Sequence, residues 1–169
     1  MQTLLPDCSV RKLQPVNADI EKIYAMASQN TLYYQYHPPF VTWQSILNDM
    51  SALPPGKTMA DKFYIGFFNG AALAAVVDMI LAYPDETTGY IGFFMVDKSR
   101  QGQGIGNRIV ADIENTMCNN GMRHSRLAVD KGNPQSYSFW TKNGYAVCDP
   151  EIPNDFSAYI PMQKELTPL

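Results

Sequence analysis

The stretch VDKSRQGQGIGNRIVADIE, Val96–Glu114, places three glycines within five positions and then continues as a helical pattern. Gly102, Gly104 and Gly106 allow the backbone to approach a ligand closely and to adopt dihedral angles that are strained for other residues. A helix beginning directly after them offers unpaired backbone N–H groups and the positive end of its dipole. Two interpretations follow: a loop that binds a phosphate or pyrophosphate, or a tight strand-to-helix turn without a ligand.

The spacing of these glycines excludes two common nucleotide-binding motifs. A P-loop requires Gly-Lys-Ser or Gly-Lys-Thr, and neither follows here. The dinucleotide motif GxGxxG fails because no small residue stands three positions after Gly106, and because the preceding strand lies mid-chain instead of opening a βαβ unit. The pattern that fits is Q-x-x-G-x-G, from Gln101 to Gly106.

Strands are predicted before the glycine loop and a helix after it. The strand-like runs DKFYIGFFNG, AALAAVVDMILAY and YIGFFMV lie between residues 61 and 96. The first run ends in Asn69-Gly70, a strong hairpin signal. A helix is predicted over 104–119. Its apolar stripe consists of Ile105, Ile109, Ile113 and Met117.

The first third of the chain predicts a strand followed by two helices. VRKLQP (10–15) is the strand, and NADIEKIYAMASQN (17–30) is a helix with Asn17 as its N-cap. LYYQYHPPF (32–40) is predicted to be a loop rich in aromatic residues and broken by its two prolines. TWQSILNDMSAL predicts the second helix, with Thr42 as its cap.

The last third completes one domain. RHSRLAVD predicts a strand, Pro134 opens a short helix that Gly144 ends, and YAVCD and FSAYIPMQ predict two closing strands. The order of elements predicts a single α+β domain over residues 1–169. Its central sheet is expected to be mixed, mostly antiparallel and of about seven strands, with about four helices on its faces.

Composition excludes several classes of protein. The 169 residues are 46% apolar, which suits one globular domain with its own core, and no apolar run is long enough for a membrane span. The N-terminus lacks the pattern of a signal peptide. Cys8, Cys118 and Cys148 lack CxxC spacing, which argues against a disulfide framework or a metal site and makes the cytoplasm the expected location. A net charge of −3 without a basic patch argues against nucleic-acid binding.

A second motif narrows the choice further. NPQSYSFWTKNGY, Asn133–Tyr145, follows the glycine motif downstream. Through these two motifs, and through its order of elements from about residue 8 to residue 165, the chain resembles the GNAT superfamily of acyl-CoA-dependent N-acetyltransferases. The resemblance implies a GNAT-like fold, acetyl-CoA as cofactor, and direct transfer of the acetyl group to a primary amine in a ternary complex.

The resemblance also implies which residues bind the cofactor. The pyrophosphate of coenzyme A would lie on the backbone amides of Gln101, Gly102, Gln103, Gly104, Ile105, Gly106 and Asn107. In the family the preceding strand is bulged and splays from the later one, and pantetheine inserts between them. Here the backbone of Phe94, Met95 and Val96 would bind pantetheine and polarise the thioester carbonyl. Contacts from the last motif would come from Asn133, Ser136 and Trp140. The alternatives are a buried strand for residues 94–96 and a helix cap for Asn133.

The expected general acid departs from the family pattern. Trp140 stands where many members place the tyrosine that protonates the leaving thiolate, and an indole cannot supply that proton. Tyr137, one turn earlier on the helix, is the candidate replacement, with packing or an acceptor-site wall as its alternative role. A thiol with a pKa near 8.5 can also depart from the thioester as an unprotonated thiolate, so a general acid is not obligatory.

The general base is equally open. Where some members carry Glu or His on the strand before the glycine loop, this chain has Tyr90 and Thr88, and neither is an ordinary base. Asp78 is the one charge inside AALAAVVDMILAY, and burial there would raise its pKa toward that of a useful base. Its alternative is a structural acid paired with the backbone or with a cation. Asp78 and Tyr90 are therefore the candidates.

The aromatic segment between the first two helices is the predicted acceptor site. Aromatic faces attract cations, which favours a small cationic amine as acceptor. The predicted substrate-binding residues are Tyr33, Tyr34, Tyr36, His37 and Phe40. The alternatives are a hydrophobic plug on the sheet and, for His37, a solvated loop histidine.

Two other functions stay open at this level. A non-catalytic acyl-CoA-binding or sensor module would also keep the glycine loop and could dispense with the tyrosine that Trp140 replaces. A protein or peptide N-acetyltransferase would use the same donor with a different acceptor. The sequence leaves open whether the chain forms a homodimer.

Overall fold

The computed structural model describes residues 8–167. The helices are α1 (Asn17–Ala27), α2 (Thr31–Tyr36), α3 (Trp43–Ser51), α4 (Ile105–Asn119) and α5 (Pro134–Lys142). The strands are β1 (Cys8–Lys12), β2 (Lys62–Asn69), β3 (Ala72–Ile80), β4 (Thr88–Val96), β5 (His124–Asp130), β6 (Ala146–Val147), β7 (Ile152–Pro153) and β8 (Ala158–Glu165).

The strands form one mixed sheet. Its order is β1-β2-β3-β4-β5-β8-β6, and β7 pairs with β8 beside this path. Within the described residues, β4 and β5 are the parallel pair and the other neighbours are antiparallel. The predicted mixed, mostly antiparallel α+β fold is confirmed, with eight strands instead of about seven and five helices instead of about four. The extra strand, β7, has two residues, which are too few to show a periodic pattern.

Helices cover both faces of the sheet. The long helix α4 buries Ile109, Ile113 and Met117 of its predicted stripe against one face, where Val77 of β3 joins the same cluster. On the other face, α1 and α3 pack their apolar residues against the neighbouring side chain Val76. The central strand β3 is therefore buried on both sides, which explains why its sequence shows no alternation of apolar and polar residues.

Three boundaries differ from the predictions. Val16, not Asn17, is the N-cap of α1, and no side chain caps that helix. The first strand is Cys8–Lys12 instead of 10–15. The segment 32–40 is not all loop, because α2 forms over Thr31–Tyr36 and ends before the prolines. The predicted cap at Thr42 is confirmed: its side chain accepts from the Ser45 backbone N–H, and the Ser45 hydroxyl completes a capping box.

Candidate active site

The strands β4 and β5 separate halfway along their length. They pair over Thr88–Ile91 and His124–Leu127, and beyond this region no pairing joins them. Against β3, the register of β4 shifts because Asp78 faces Phe93 while Met79 faces Ile91, so that Gly92 is the bulged residue. A bulge bends its strand. The β4 backbone groups that face the opened cleft have no ladder partner on β5 and can bond a ligand.

A cavity of about 190 Å³ occupies this cleft. Pockets that enclose a whole small ligand measure roughly 300–1,000 Å³, so this one suits a narrow arm of a larger molecule. Its walls are Gly92 to Phe94 of β4, Ala128 to Asp130 of β5, and side chains from α5 and β8. The predicted cofactor residues Phe94, Ser136 and Trp140 are among them. Met95 and Val96 are buried residues of β4, which agrees with the buried strand given above as the alternative for residues 94–96.

The glycine loop follows β4 and has open space above it. Gly102 and Gly104 have φ of +75° and +78°, and a Cβ built at either would meet nothing within 4 Å. Gly104 is the N-cap of α4, and no side chain bonds the first N–H groups of that helix. Gly106 is required for another reason, since its Cβ would lie 3.0 Å from the Phe139 ring of α5. The loop therefore leaves room for a pyrophosphate beside the start of a helix whose first N–H groups have no side-chain cap in the described part of the chain.

Polar side chains hold the glycine loop in place. The Gln101 side chain donates from Nε2 to the Val96 carbonyl at 2.9 Å and to Asn30 Oδ1 at 2.6 Å. Gln103 Nε2 donates to the Ser99 carbonyl at 2.9 Å. These contacts make the two glutamine side chains supports of the loop. The Gln101 backbone N–H donates to the Lys98 carbonyl at 3.5 Å.

Positive charge surrounds the glycine loop. Lys98 and Arg108 are exposed on either side of it, and no salt bridge within residues 8–167 engages them. Asn107 is exposed beside them, and its side-chain oxygen accepts from Asn143 at 3.3 Å. An anion on the loop would therefore meet both helix amides and cationic side chains.

The start of α5 is fixed by a side-chain cap. The buried Asn133 accepts from the Ser136 backbone N–H at 3.1 Å, and Pro134 takes the first helical position. The helix-cap alternative for Asn133 is thus present in the structure. Trp140 is 6% exposed and packs against the rings of Phe94, Phe139 and Tyr145. Tyr137 is 42% exposed and is absent from the described lining of the cleft cavity.

A second, larger cavity lies under α1 to α3, on the face of the sheet opposite α4. It measures about 580 Å³, which is enough for a small molecule. Of the predicted acceptor residues, Tyr33, Tyr34 and His37 line it. Phe40 is 46% exposed and lies against the Tyr34 ring, with centroids 5.0 Å apart. Tyr36 lies near Gly132 instead.

The two cavities meet at the β4 bulge. Five residues line both of them: Tyr33, His37, Tyr90, Gly92 and Phe93. A group in the cleft cavity and a group in the larger cavity would therefore come together beside Gly92.

Asp78 lies directly behind this junction. Its Oδ2 is 2.7 Å from Lys62 Nζ, and a Cβ at Gly92 would come within 3.2 Å of the same oxygen. Asp78 is 8% exposed and Lys62 2%, and Asp78 Oδ1 is buried without a hydrogen-bond partner in the described part of the chain. Burial raises the pKa of Asp78 against the lowering effect of Lys62. The carboxylate thus combines a cation partner on Oδ2 with a raised pKa.

Other titratable groups complete the walls. Burial raises the pKa of Tyr90, so this phenol stays protonated near neutral pH and is suited to donating a hydrogen bond. Asp49 of α3 lies at the mouth of the larger cavity, where partial desolvation raises its pKa. No hydrogen bond or salt bridge involves Asp49 within residues 8–167.

His37 is not a solvated loop histidine. Its Nδ1 lies 3.1 Å from both carboxylate oxygens of Asp130 at the end of β5. The hydrogen bond to Asp130 raises the pKa of His37, against the lowering effect of burial. Sequence reasoning missed Asp130, Lys62, Asp49 and Tyr159 as wall residues. Only the fold brings residues as distant in sequence as His37 and Asp130 together, so no local pattern could have indicated them.

Residues 8–167 contain neither a cluster of metal ligands nor a membrane-spanning helix. That part of the chain contains no group of three His, Cys, Asp or Glu side chains placed to bind a metal ion. None of its helices combines the length and the apolar character of a membrane span.

Known proteins share this architecture. Residues 55–166 match the family model described as the acetyltransferase (GNAT) domain. Ard1 from Thermoplasma volcanium superimposes with a TM-score of 0.71 at 20% identity, over 95% of this chain and 99% of that one. PaiA N-acetyltransferase from Thermoplasma acidophilum, in complex with coenzyme A, gives 0.68 at 20% identity over 94% and 98%. An aminoglycoside 6'-N-acetyltransferase complexed with coenzyme A gives 0.68 at 15% identity over 95% and 98%. No curated protein sequence matches significantly.

Proposed function

The chain belongs to the GNAT acetyltransferase family, and from this premise we propose that it transfers the acetyl group of acetyl-CoA to a small cationic primary amine. The observation that carries the proposal is the meeting of two cavities at Gly92. One lies in the cleft between β4 and β5, and the other is lined by aromatic side chains and by the carboxylates of Asp49 and Asp78. Donor and acceptor can therefore occupy the protein together, as direct transfer in a ternary complex requires.

The donor side is built from backbone groups. Acetyl-CoA supplies an activated acyl group when bound. The amides of Gln101 to Asn107 would hold its pyrophosphate, with Lys98 and Arg108 adding positive charge. The backbone groups of β4 beyond Ile91 that have no ladder partner on β5 would bond the pantetheine arm and polarise the thioester carbonyl. Ser136 and Trp140 would close the other side of the cleft.

The acceptor side favours a cation. Tyr33, Tyr34 and Tyr64 face the larger cavity, and an aromatic face attracts a cation by roughly 0.5–2 kcal/mol. Asp49 at the mouth adds a carboxylate that no salt bridge neutralises among the described residues. A substrate entering as an ammonium ion is thus attracted before it reaches the junction. The size of this cavity favours a small molecule over a folded protein surface.

Asp78 is the proposed proton acceptor. An alkylamine with a pKa near 10.4 is mostly protonated at pH 7, so it must lose a proton before it attacks the thioester. The Asp78 carboxylate lines the acceptor cavity next to Gly92, where it would accept that proton, and its raised pKa suits the task. Lys62 bonds Oδ2 and holds the carboxylate in position.

The test is release of free thiol from acetyl-CoA with a panel of amines. The panel contains polyamines, amino acids, aminoglycosides and short peptides, and coenzyme A binding is measured in the same samples by titration calorimetry. We expect turnover with small cationic amines, and none in a Gly104→Val variant that cannot bind the cofactor. Turnover with peptides alone would mean that the acceptor is a polypeptide and not a small amine. Binding without turnover for every amine would favour an acyl-CoA-binding module.

A further inference from the structure

The least explained group at the junction is His37. It lines both the cleft cavity and the acceptor cavity, and its Nδ1 is engaged by the carboxylate of Asp130. Its Nε2 has no hydrogen-bond partner among residues 8–167. When Nδ1 donates to Asp130, Nε2 is the nitrogen that gains or loses a proton. The pair therefore presents one titratable nitrogen at the junction.

The cleft also lacks an obvious proton donor for the leaving thiolate. Trp140 borders the cavity of about 190 Å³, and its indole cannot supply a proton to a thiolate. Tyr137 is not part of that wall as the structure describes it. The described wall residues with titratable N–H or O–H groups are Tyr33, His37, Tyr90 and Tyr159. Of these, His37 has an ordinary pKa below that of a thiol, while a phenol has one above it.

We propose that His37, oriented by Asp130, donates the proton that the departing thiolate takes up. The proposal rests on the acetyl transfer proposed above and supplies the acid that Trp140 cannot. The acid comes from the segment that follows α2, on the acceptor side of the sheet, instead of from α5.

The transfer exchanges the bond between the acetyl carbon and sulfur for one between that carbon and nitrogen. The amine nitrogen forms a bond to the acetyl carbon while the carbon–sulfur bond breaks, with its electron pair left on sulfur. The proton on Nε2 of His37 passes to that sulfur and gives the free thiol. The amine loses two protons in all. The ammonium proton passes to Asp78 before the attack and from there to solvent, and the proton that the nitrogen loses as the amide forms then goes to the same carboxylate. Solvent then restores the proton on His37 and removes the one on Asp78, and no redox partner is needed.

The charges around His37 set the pH at which it can act. The titratable groups facing it are Asp130 from β5, Asp49 from α3, Tyr33 from α2 and Tyr159 from β8. The hydrogen bond to Asp130 raises the pKa of His37, so the imidazolium persists to higher pH than it does in an ordinary histidine. The transfer rate should then fall as the pH rises through the pKa of His37.

The test compares two donors in wild-type protein and in His37→Asn. Asparagine can still donate to Asp130, so the contact that holds this segment is preserved while the titratable nitrogen is lost. With acetyl-CoA we expect kcat to fall by about 100-fold, within the range of general-acid catalysis. With 4-nitrothiophenyl acetate, whose thiolate leaves without protonation, the two proteins should agree within a few-fold. Coenzyme A affinity should be unchanged.

Two further variants give independent readouts. Asp130→Asn removes the charge that stabilises the imidazolium, so the basic limb of the pH–rate profile should move to lower pH. Tyr159→Phe keeps the ring and should leave that limb in place. Equal losses of rate with both donors in His37→Asn, or a basic limb that disappears in Tyr159→Phe instead, would overturn the proposal. Absence of turnover in the wild-type protein would instead contradict the proposed function itself.

Discussion

Replacing Lys62 by Met tests the buried pair behind the junction. Lys62 is 2% exposed and its Nζ lies 2.7 Å from Asp78 Oδ2, so the substitution keeps an unbranched stem and removes the charge. Breaking a buried ion pair by removing one partner costs about 3–5 kcal/mol. For a domain of this length, each kcal/mol lowers Tm by about 2–4 °C, which gives an expected decrease of about 6–20 °C at pH 7.

The pH dependence of this loss has a defined sign. The pKa of Asp78 in the folded protein is already raised by burial, and without Lys62 it rises further. A raised folded pKa gives stability at low pH that is lost as the pH rises through that pKa. The difference between Lys62→Met and wild type should therefore be largest at neutral pH and should shrink toward about pH 4, where an ordinary aspartate is half protonated.

Urea denaturation followed by circular dichroism at both pH values measures the effect. The control is Lys62→Met combined with Asp78→Leu, which leaves no uncompensated charge and should recover most of the lost stability. The acidic limb of the pH–rate profile should also move upward in the single variant, because its base binds a proton more tightly. A penalty below about 1 kcal/mol at pH 7, typical of an exposed pair, or one that is equal at both pH values, would refute the reasoning.

Three further predictions concern the glycine loop, the base and the α5 cap. Gly104→Val should abolish coenzyme A binding in calorimetry at a stability cost of only about 1–2 kcal/mol, because the new side chain meets open space but requires φ of +78°; retained affinity would contradict the pyrophosphate site. Asp78→Asn should lower kcat about 100-fold near pH 7, with a deficit that narrows as the pH approaches the pKa of the amine, and a constant deficit would make Asp78 purely structural. Asn133→Ala should cost about 1 kcal/mol in urea denaturation through loss of the cap, with Thr42→Ala as the matched cap control far from the cleft. If coenzyme A binds more weakly to Asn133→Ala but not to Thr42→Ala, Asn133 contacts the cofactor in addition to capping the helix.

Local chemistry made much of the fold predictable. The hairpin at Asn69-Gly70, the cap at Thr42 and the helix after Gly104 each depend on a few neighbouring residues. The two prolines, Pro38 and Pro39, predict a loop over residues 32–40. The structure instead has about one and a half turns of helix, α2, before the prolines.

The site was less predictable because it depends on contacts between distant segments. The apolar run of β3 places Asp78 inside a buried strand, but only the pairing of β2 with β3 brings Lys62 to it. The family resemblance implies a bulge in the strand before the glycine loop, but only the register of β4 against β3 identifies Gly92 as the bulged residue. Similarly, Tyr137 and Trp140 share a helix, and only packing against Phe94 decides which of them is buried.

The separation of β4 from β5 has a consequence for how long the folded chain survives. Four residue pairs hold the two parts of the sheet together, helped by the apolar cluster beneath α4. A cofactor arm lying in that cleft would act as a substitute strand that only the native state can bind. At a concentration 100 times its dissociation constant, such a ligand adds about 2.7 kcal/mol to the free energy of unfolding and makes unfolded chains about 100-fold rarer. Supply of acetyl-CoA would then govern resistance to proteolysis and heat as well as catalytic rate.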